Sequence, residues 1–274
     1  MEVAALYRYP VKSLGGESVH QLVPRERGFR DDRRWMLVDA DGTFISQRTH
    51  PELAQFSAEL REAEGLRIRS VSDGAVVWET QEARPEGGQE MQVTVWDDTF
   101  AARLVPTPAE LGERLGLPRS TRLVYMSERG NRPVDPRYAR QAERVSFADG
   151  YPYLIATTAS LADLADRLGR PVEMLRFRPN LVVAGAGAYA EDTWDTLHVG
   201  AHTFYLPKPC ARCIMVTQHP RTGERDPSIL AGLAAYRKRG NKVLFGVNAL
   251  WAGGAGAIAC GDSVSPGGQP VPAT

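Results

Sequence analysis

Over its first hundred residues the chain breaks into short apolar runs at nearly even spacing, each bounded by turn residues. Residues 3–7 and 34–38 are two of them. After the second, Asp39-Ala40-Asp41-Gly42 leads into residues 43–46, a pattern that predicts a hairpin. Leu66-Arg67-Ile68-Arg69 alternates strictly, Ser72-Asp73-Gly74 turns, and residues 75–78 return. Residues 91–96 and 100–105 predict another strand pair across Asp97-Asp98. Such a series predicts a barrel or a sandwich, the architectures in which short strands hide their edges.

Helical signals are few. Thr107-Pro108-Ala109-Glu110 reads as a capping box with proline at the first helical position, so a short helix is expected to start there. Leu161, Leu164, Ala165 and Leu168 fall at helical spacing within residues 160–168. A third helix is expected from Asp226-Pro227 through Leu233, stopping at Gly240. Between them, residues 180–184, 203–206 and 213–218 read as strands. Residues 127–144 are polar and read as a long surface loop, and the proline- and glycine-rich stretch after Val264 reads as an irregular end. The expected fold class is therefore mostly β with a few short helices, and 274 residues allow one or two domains.

Charge excludes some functions. Lys+Arg and Asp+Glu both number 33, so no net field draws the chain to nucleic acid or an anionic membrane. The longest small-apolar run, residues 249–260, is too short for a membrane span, which takes roughly 20 residues. Met1-Glu2-Val3 lacks a basic leader, and three cysteines make no disulfide framework, so a soluble, cytoplasmic protein with free thiols is expected. Only Lys12, Lys208, Lys238 and Lys242 are lysines; the other 29 cations are arginines.

Cys210-Ala211-Arg212-Cys213 admits four readings. Zinc needs about four ligands, and no second pair follows. A thioredoxin-like pair needs a helix N-terminus, whereas this motif runs into the strand-like Ile214-Met215-Val216-Thr217. A buried structural thiol is the plain alternative. The fourth is an exposed thiolate between Lys208 and Arg212, suited to a soft metal or to nucleophilic attack.

Three basic motifs stand beside it. Lys12-Ser13 follows Tyr9-Pro10-Val11 past the first strand, where a lysine is ordinarily solvated. In Asp32-Arg33-Arg34-Trp35, alternation sends one arginine toward the interior or a cleft. In Phe177-Arg178-Pro179-Asn180, Arg178 and Asn180 are expected on one strand face; a guanidinium beside an amide suits a phosphate or a heterocycle, and the plain alternative is an edge ion pair. Hydrolase, P-loop and dinucleotide motifs are absent, and His20, His50, His198, His202 and His219 are scattered.

Taken in order, Tyr9-Pro10-Val11-Lys12-Ser13, Asp32-Arg33-Arg34-Trp35, Phe177-Arg178-Pro179-Asn180, Glu191-Asp192-Thr193-Trp194, Lys208-Pro209-Cys210-Ala211-Arg212-Cys213 and Asp262 after Cys260-Gly261 resemble the MOSC-domain proteins with an N-terminal β-barrel domain, the family of the mitochondrial amidoxime-reducing component and its bacterial counterparts. The resemblance spans residues 1–265. It implies two domains, an N-terminal β-barrel over residues 1–120 and a MOSC domain over 121–274. It also implies a molybdenum cofactor, molybdopterin carrying the metal, with Cys213 as the protein's metal ligand. Lys12, Ser13 and Arg33 would hold the cofactor from the first domain, and Asp149, Gly150, Tyr151, Arg178, Asn180, Ala211 and Arg212 from the second. Gly150 and Tyr151 replace the small hydroxyl residues of the family pattern, so contacts there would run through backbone amides.

The implied activity is two-electron reduction of small N-hydroxylated compounds such as amidoximes, N-hydroxyguanidines and hydroxylaminopurines, with electrons from a separate ferredoxin, flavin reductase or b-type cytochrome system. Two alternatives stay open: a sulfur carrier using a Cys213 persulfide, and a cofactor-binding protein without turnover.

Overall fold

The computed structural model describes residues 1–61, 65–85 and 87–267. The chain opens with β1 (Glu2–Arg8) and β2 (Glu17–Val19), then β3 (Trp35–Val38), β4 (Phe56–Leu60), β5 (Leu66–Ser70), β6 (Val76–Thr80), β7 (Glu90–Val95), β8 (Asp98–Leu104), a one-turn helix α1 (Leu111–Arg114) and β9 (Arg122–Tyr125). β4-β5-β6 form a three-stranded meander, and β7-β8-β9-β3 form a four-stranded sheet. Alternation along β5 buries Leu66 and Ile68, which pack with Trp35, Leu53, Trp78, Leu111 and Leu123. The other face of the four-stranded sheet buries Met36, Val93, Val124 and Phe147. Each such side chain contributes roughly 1.5–3 kcal/mol by leaving water.

The second half holds β10 (Tyr153–Thr157), α2 (Thr158–Leu168), β11 (Leu181–Ala184), β12 (Thr196–Val199), β13 (His202–Arg212), α3 (Pro227–Arg237), β14 (Lys238–Arg239), β15 (Lys242–Gly253) and β16 (Val264–Gly267). They form one sheet in the order β2-β1-β11-β10-β15-β13-β12-β16, with β14 paired to β15. Among the described strands of this sheet only β10 and β11 run parallel, joined by the crossover helix α2. The Thr157 side chain accepts from the Ser160 amide to start α2, and Gly169 (φ 67°) ends it in the left-handed region that favours glycine. Leu164 of α2, Ile229 and Leu233 of α3, and a stacked Phe177–Phe245 pair 3.8 Å apart close one face of this sheet.

A cut at residue 120 does not separate the sheets. β1 pairs with β11 of the second half, while β9 pairs with β3 of the first. The chain leaves the large sheet between β2 and β3 and returns beyond residue 125, while the β1–β2 connection, residues 9–16, reaches out to Trp35 and Ser57; these segments line a basic cleft.

Several local expectations need correction. The hairpin at 39–46 forms but is minimal: Phe44 makes an antiparallel bridge to Val38, with the Ile45 amide on Leu37 O (2.9 Å) and the Asp39 amide on Thr43 O (3.0 Å), while Thr43 bridges Thr94. The capping box at Thr107 does not form: Val105 is drawn into the sheet by its amide bond to Leu123 O (2.9 Å), and the helix starts only at Leu111, without a side-chain cap. α3 stops at Arg237 because Lys238–Arg239 pairs with the start of β15; Gly240 (φ 59°) turns that hairpin. Residues 213–218 are not a strand. β13 ends at Arg212, and Ile214–Thr217 coil into a 3-10 turn that drops Val216 against α3. Residues 127–144 are not all surface, since Arg132 and Val134 are buried and Pro133 bridges Arg144. After Val264 the chain forms β16 against β12; residues 268–274 lie outside the described residues.

Candidate cofactor cleft

Lys12, Ser13, Arg33, Asp149, Gly150, Tyr151, Arg178, Asn180, Ala211, Arg212 and Cys213 all line one cleft of about 240 Å³. The crossing segments bring them together. Lys12 follows β1 where its amide bonds to Trp35 O (2.8 Å), and the Arg33 amide bonds to Tyr9 O (2.8 Å), so the two basic motifs of the first half are laced together. Ser13, Arg33 and Arg178 all have positive φ (70°, 50° and 52°), three of the seven such non-glycine residues among those described. Backbone strain of this kind persists where surrounding contacts impose it, often at ligand sites.

That geometry revises two expectations. Arg33 is not placed by strand alternation; its left-handed backbone turns it, and both Arg33 and Arg34 are largely buried. Arg34 pairs with Glu128 away from the cleft. Arg178 and Asn180 do not share a strand face either. Arg178 caps the 3-10 turn Met174–Phe177, and Asn180 precedes β11.

The contacts sort the cations. Arg33 donates to Asp32 Oδ2 (2.5 Å), Asn180 Oδ1 (3.0 Å) and Arg178 O (3.1 Å). Asn180 also accepts from the Leu154 amide (3.2 Å) and donates to Tyr7 O (3.3 Å), so its side chain is occupied in holding Arg33. Lys12, buried rather than solvated, donates to Asp149 Oδ1 at 2.5 Å. Burial lowers the Lys12 pKa against the opposing pull of Asp149. Burial also pushes the Asp149 carboxyl up, but Lys12 and Arg48 outweigh it and hold the group well below the ordinary carboxylate range. Arg132, buried, donates to Ser146 O, Ala148 O and Asp149 O and fixes the loop that presents this aspartate.

Arg178 pairs with no carboxylate among the described residues. It donates to Leu14 O (2.8 Å) and stacks on the Tyr9 ring (4.4 Å), which also carries Arg33 (4.3 Å). Burial, with Arg33 beside it, lowers its pKa to about 10, so it remains a cation at neutral pH. Arg212 donates to Phe177 O (2.8 Å) and sits 3.0 Å from Cys210 Sγ, while its Nε is buried without a partner. Arg176 also lines the cleft and is paired to Glu173. Six lining cations against three bonded carboxylates (Asp32, Asp149, Glu173) leave an excess of three positive charges. Such a cleft is built for an anion.

The cysteines are not arranged as their spacing suggests. Arg212 faces Cys210, not Cys213, and Lys208 lies over Tyr138 and Tyr151 (4.0 and 4.9 Å). The cation on exposed Cys213 is Arg48, whose Nη2 is 3.5 Å from Sγ and 2.9 Å from Asp149 Oδ2. Sequence reasoning misses Arg48. It sits in the polar stretch Ser46-Gln47-Arg48-Thr49, with no periodicity or motif to mark it, and reaches Cys213 only through the fold. Among the described residues no cluster of three or more His, Cys, Asp or Glu could hold a metal ion. Zinc at this motif would therefore lack its ligand set. Cys260 is half-buried against the core beside the end of β2, as a small apolar residue would be.

This pairing of a strand-rich first half with a sheet-and-helix second half, joined at a basic cleft with a CxxC, defines a two-module β protein of the MOSC type. Residues 1–108 match the MOSC N-terminal beta barrel domain and residues 142–265 match the MOSC domain, and the chain belongs to this family. Mitochondrial amidoxime-reducing component 1 of Mus musculus is 30% identical over 251 residues, covering 86% of this chain and 71% of that protein. Mitochondrial amidoxime reducing component 2 of Bos taurus is 31% identical, with 86% and 72% covered. Molybdenum cofactor sulfurase of Oryza sativa subsp. japonica is 28% identical over 87% of this chain, which spans about a third (31%) of that protein's length.

Proposed function

We propose that this protein is a molybdenum-cofactor-dependent reductase of N-hydroxylated compounds, with Cys213 as the thiolate on the metal. The observation that carries the reading is the uncompensated positive charge of the cleft beside an exposed cysteine, in a chain similar over most of its length to amidoxime-reducing components. The residues fit the group. Arg178 and Arg212, without carboxylates, would answer a cofactor phosphate; the orphaned Arg212 Nε would find an acceptor; and a sulfur donor suits a soft metal. Lys12, Ser13 and Arg33 would hold the group from the first half, with Asp149, Gly150, Tyr151, Asn180 and Ala211 opposite them.

When bound, the cofactor supplies the two-electron chemistry that removes the N-bound oxygen as water. The chain supplies the rest. Arg48 places a guanidinium 3.5 Å from Cys213 Sγ and is itself braced by Asp149 and the Trp96 ring at 4.6 Å. Lys12, buried and bonded to Asp149 at 2.5 Å, would face the group as a cation from the first half. Electrons would come from a separate redox protein.

The sulfurase relatives favour a second reading, a Cys213 persulfide carrier, for which Arg48 would equally stabilise a sulfur anion. Purification from a molybdenum-replete host separates them. The reductase reading expects bound molybdenum and pterin, together with reduction of a synthetic amidoxime by dithionite and a viologen dye. Metal without turnover would indicate a binding protein, and neither metal nor turnover, with sulfide released by reductant, would indicate the carrier.

A further inference from the structure

A reductase of this kind needs electrons from outside the cleft, and the partner surface inferred for it rests on that reading. Of the four lysines one, Lys12, is buried in the cleft. The other three gather on one part of the large sheet. Lys208 pairs with Asn248, Arg212 pairs with Val243, and Val243 pairs on its other side with Lys238. Lys238, Val243 and Arg212 thus form one row across three strands, its ends roughly 10 Å apart. In this antiparallel register the chain leaves the sheet at Cys213 on the side of Lys242. Lys238, Arg239 and Lys242 are exposed on the hairpin that turns at Gly240. The carboxylate that Arg239 approaches, Asp192 at 3.9 Å, is already held by Arg237 at 2.5 Å. In a chain of zero net charge, this hairpin is a local concentration and not a general background.

A second observation concerns apolar surface. The exposed large hydrophobic residues among those described are Met1, Val76, Trp96 and Ile214. Two of the four border the same cysteine. Ile214 follows Cys213 directly, and Trp96 stacks on Arg48, whose guanidinium touches Cys213 Sγ. A small apolar centre with a charged rim is the anatomy of a protein interface.

We infer that the hairpin Lys238–Lys242, with Ile214 and Trp96, is a docking surface for an acidic electron-carrier protein that presents its redox centre within a ring of carboxylates. Charge complementarity steers the carrier to the cleft mouth, and the small apolar centre lets it leave after delivery. The electrons balance: an N–OH group takes two electrons and two protons to give N–H and water, and two successive one-electron deliveries supply them, two reduced carrier molecules each giving up one electron and water supplying the protons.

The test uses three acidic probes, a [2Fe–2S] ferredoxin, a flavodoxin and the haem domain of a b-type cytochrome, with binding measured by calorimetry at low and at physiological salt. At least one should bind the wild-type protein, more weakly as salt rises. The double reversal Lys238→Glu with Lys242→Glu should weaken that binding by about tenfold or more and flatten its salt dependence. Its viologen-driven turnover and melting temperature should stay at wild-type values. Arg119→Glu, an exposed reversal in the other half, should change neither. Salt-sensitive binding to none of the probes, or equal losses in Arg119→Glu, overturns the docking surface. Hairpin-dependent binding without viologen-driven turnover would keep the surface and sink the reductase reading.

Discussion

The two sides of the cleft treat their positive charges differently. Lys12, Arg33 and Arg48, from the first half of the chain, each touch a carboxylate: Asp149, Asp32 and Asp149 again. Arg178 and Arg212, from the second half, touch backbone carbonyls, aromatic rings and a thiol. A buried cation without a counter-charge is costly, and ring stacking and carbonyl bonds offset only part of that cost. The first set is therefore largely anchored, three cations on two carboxylates, whereas Arg178 and Arg212 hold charge in reserve for a ligand; Arg176 of the second half is paired to Glu173. Most of the anchoring falls to the first half of the chain and most of the reserve charge to the second.

The largest expected effect falls on the two cysteines, which belong to opposite sides of this division. Cys213 is met by Arg48 of the first half, and Cys210 by Arg212 of the second. Cys213→Ser exchanges a soft sulfur for a hard, mostly protonated oxygen, so amidoxime reduction should vanish, while Cys210→Ser should lose only part and Cys260→Ala none. Steady-state assays of the three variants, normalised to pterin content, decide it. An active Cys213→Ser beside a dead Cys210→Ser would assign the metal to the other sulfur.

Next come the arginines, which look equivalent in the sequence and are separated by the structure. Arg178→Ala removes a charge-assisted contact worth roughly 1.5–3 kcal/mol, so cofactor affinity should fall about ten- to a hundredfold in a protein that stays folded. Arg33→Ala instead strands Asp32, whose side chain is fully buried and also accepts from the Tyr9 amide. Its main effect should be a loss of about 3–5 kcal/mol of stability, seen in urea unfolding of the cofactor-free protein. Equal stability losses in both variants would erase the distinction between anchoring and binding sides.

Much of this site is legible in the sequence. Short-range sequence chemistry marks the motifs around Lys12, Arg33, Arg178 and Cys213, a lysine among few lysines, paired arginines and a CxxC, but that they face one ligand is implied by the family resemblance; the structure places them along one cleft. The local geometry carrying them is less legible. Strand alternation predicts the wrong setting for Arg33 and Arg178, since both sit at left-handed backbone positions that no period-two pattern encodes. Residues 213–218 look like a strand because Ile214, Val216 and Thr217 are β-branched; tertiary burial of Val216 against α3 overrides that propensity. Arg48 is invisible because its role depends wholly on the approach of two distant segments.

The smallest expected effect tests the anchor itself. Asp149 joins Lys12 and Arg48 of the first half to the loop of the second, and its side chain is half open (53%) to the cleft. Its native pKa lies below the ordinary 3.8, burial being outweighed by the two cations. A carboxyl depressed in the native state binds fewer protons there than in the unfolded chain, so stability rises with pH across the interval between the two values. The contribution is thus complete above about pH 4 and is lost as pH falls below the unfolded value toward the native one. Solvent reaches this group from the cleft, which screens the pair and keeps the effect modest. Thermal unfolding of the cofactor-free protein should show Asp149→Asn less stable than wild type at neutral pH, with the gap closing as the pH drops below about 4. A gap independent of pH would mean that Asp149 holds the halves together by shape and hydrogen bonding alone, and that the charges on the anchoring side do not answer one another.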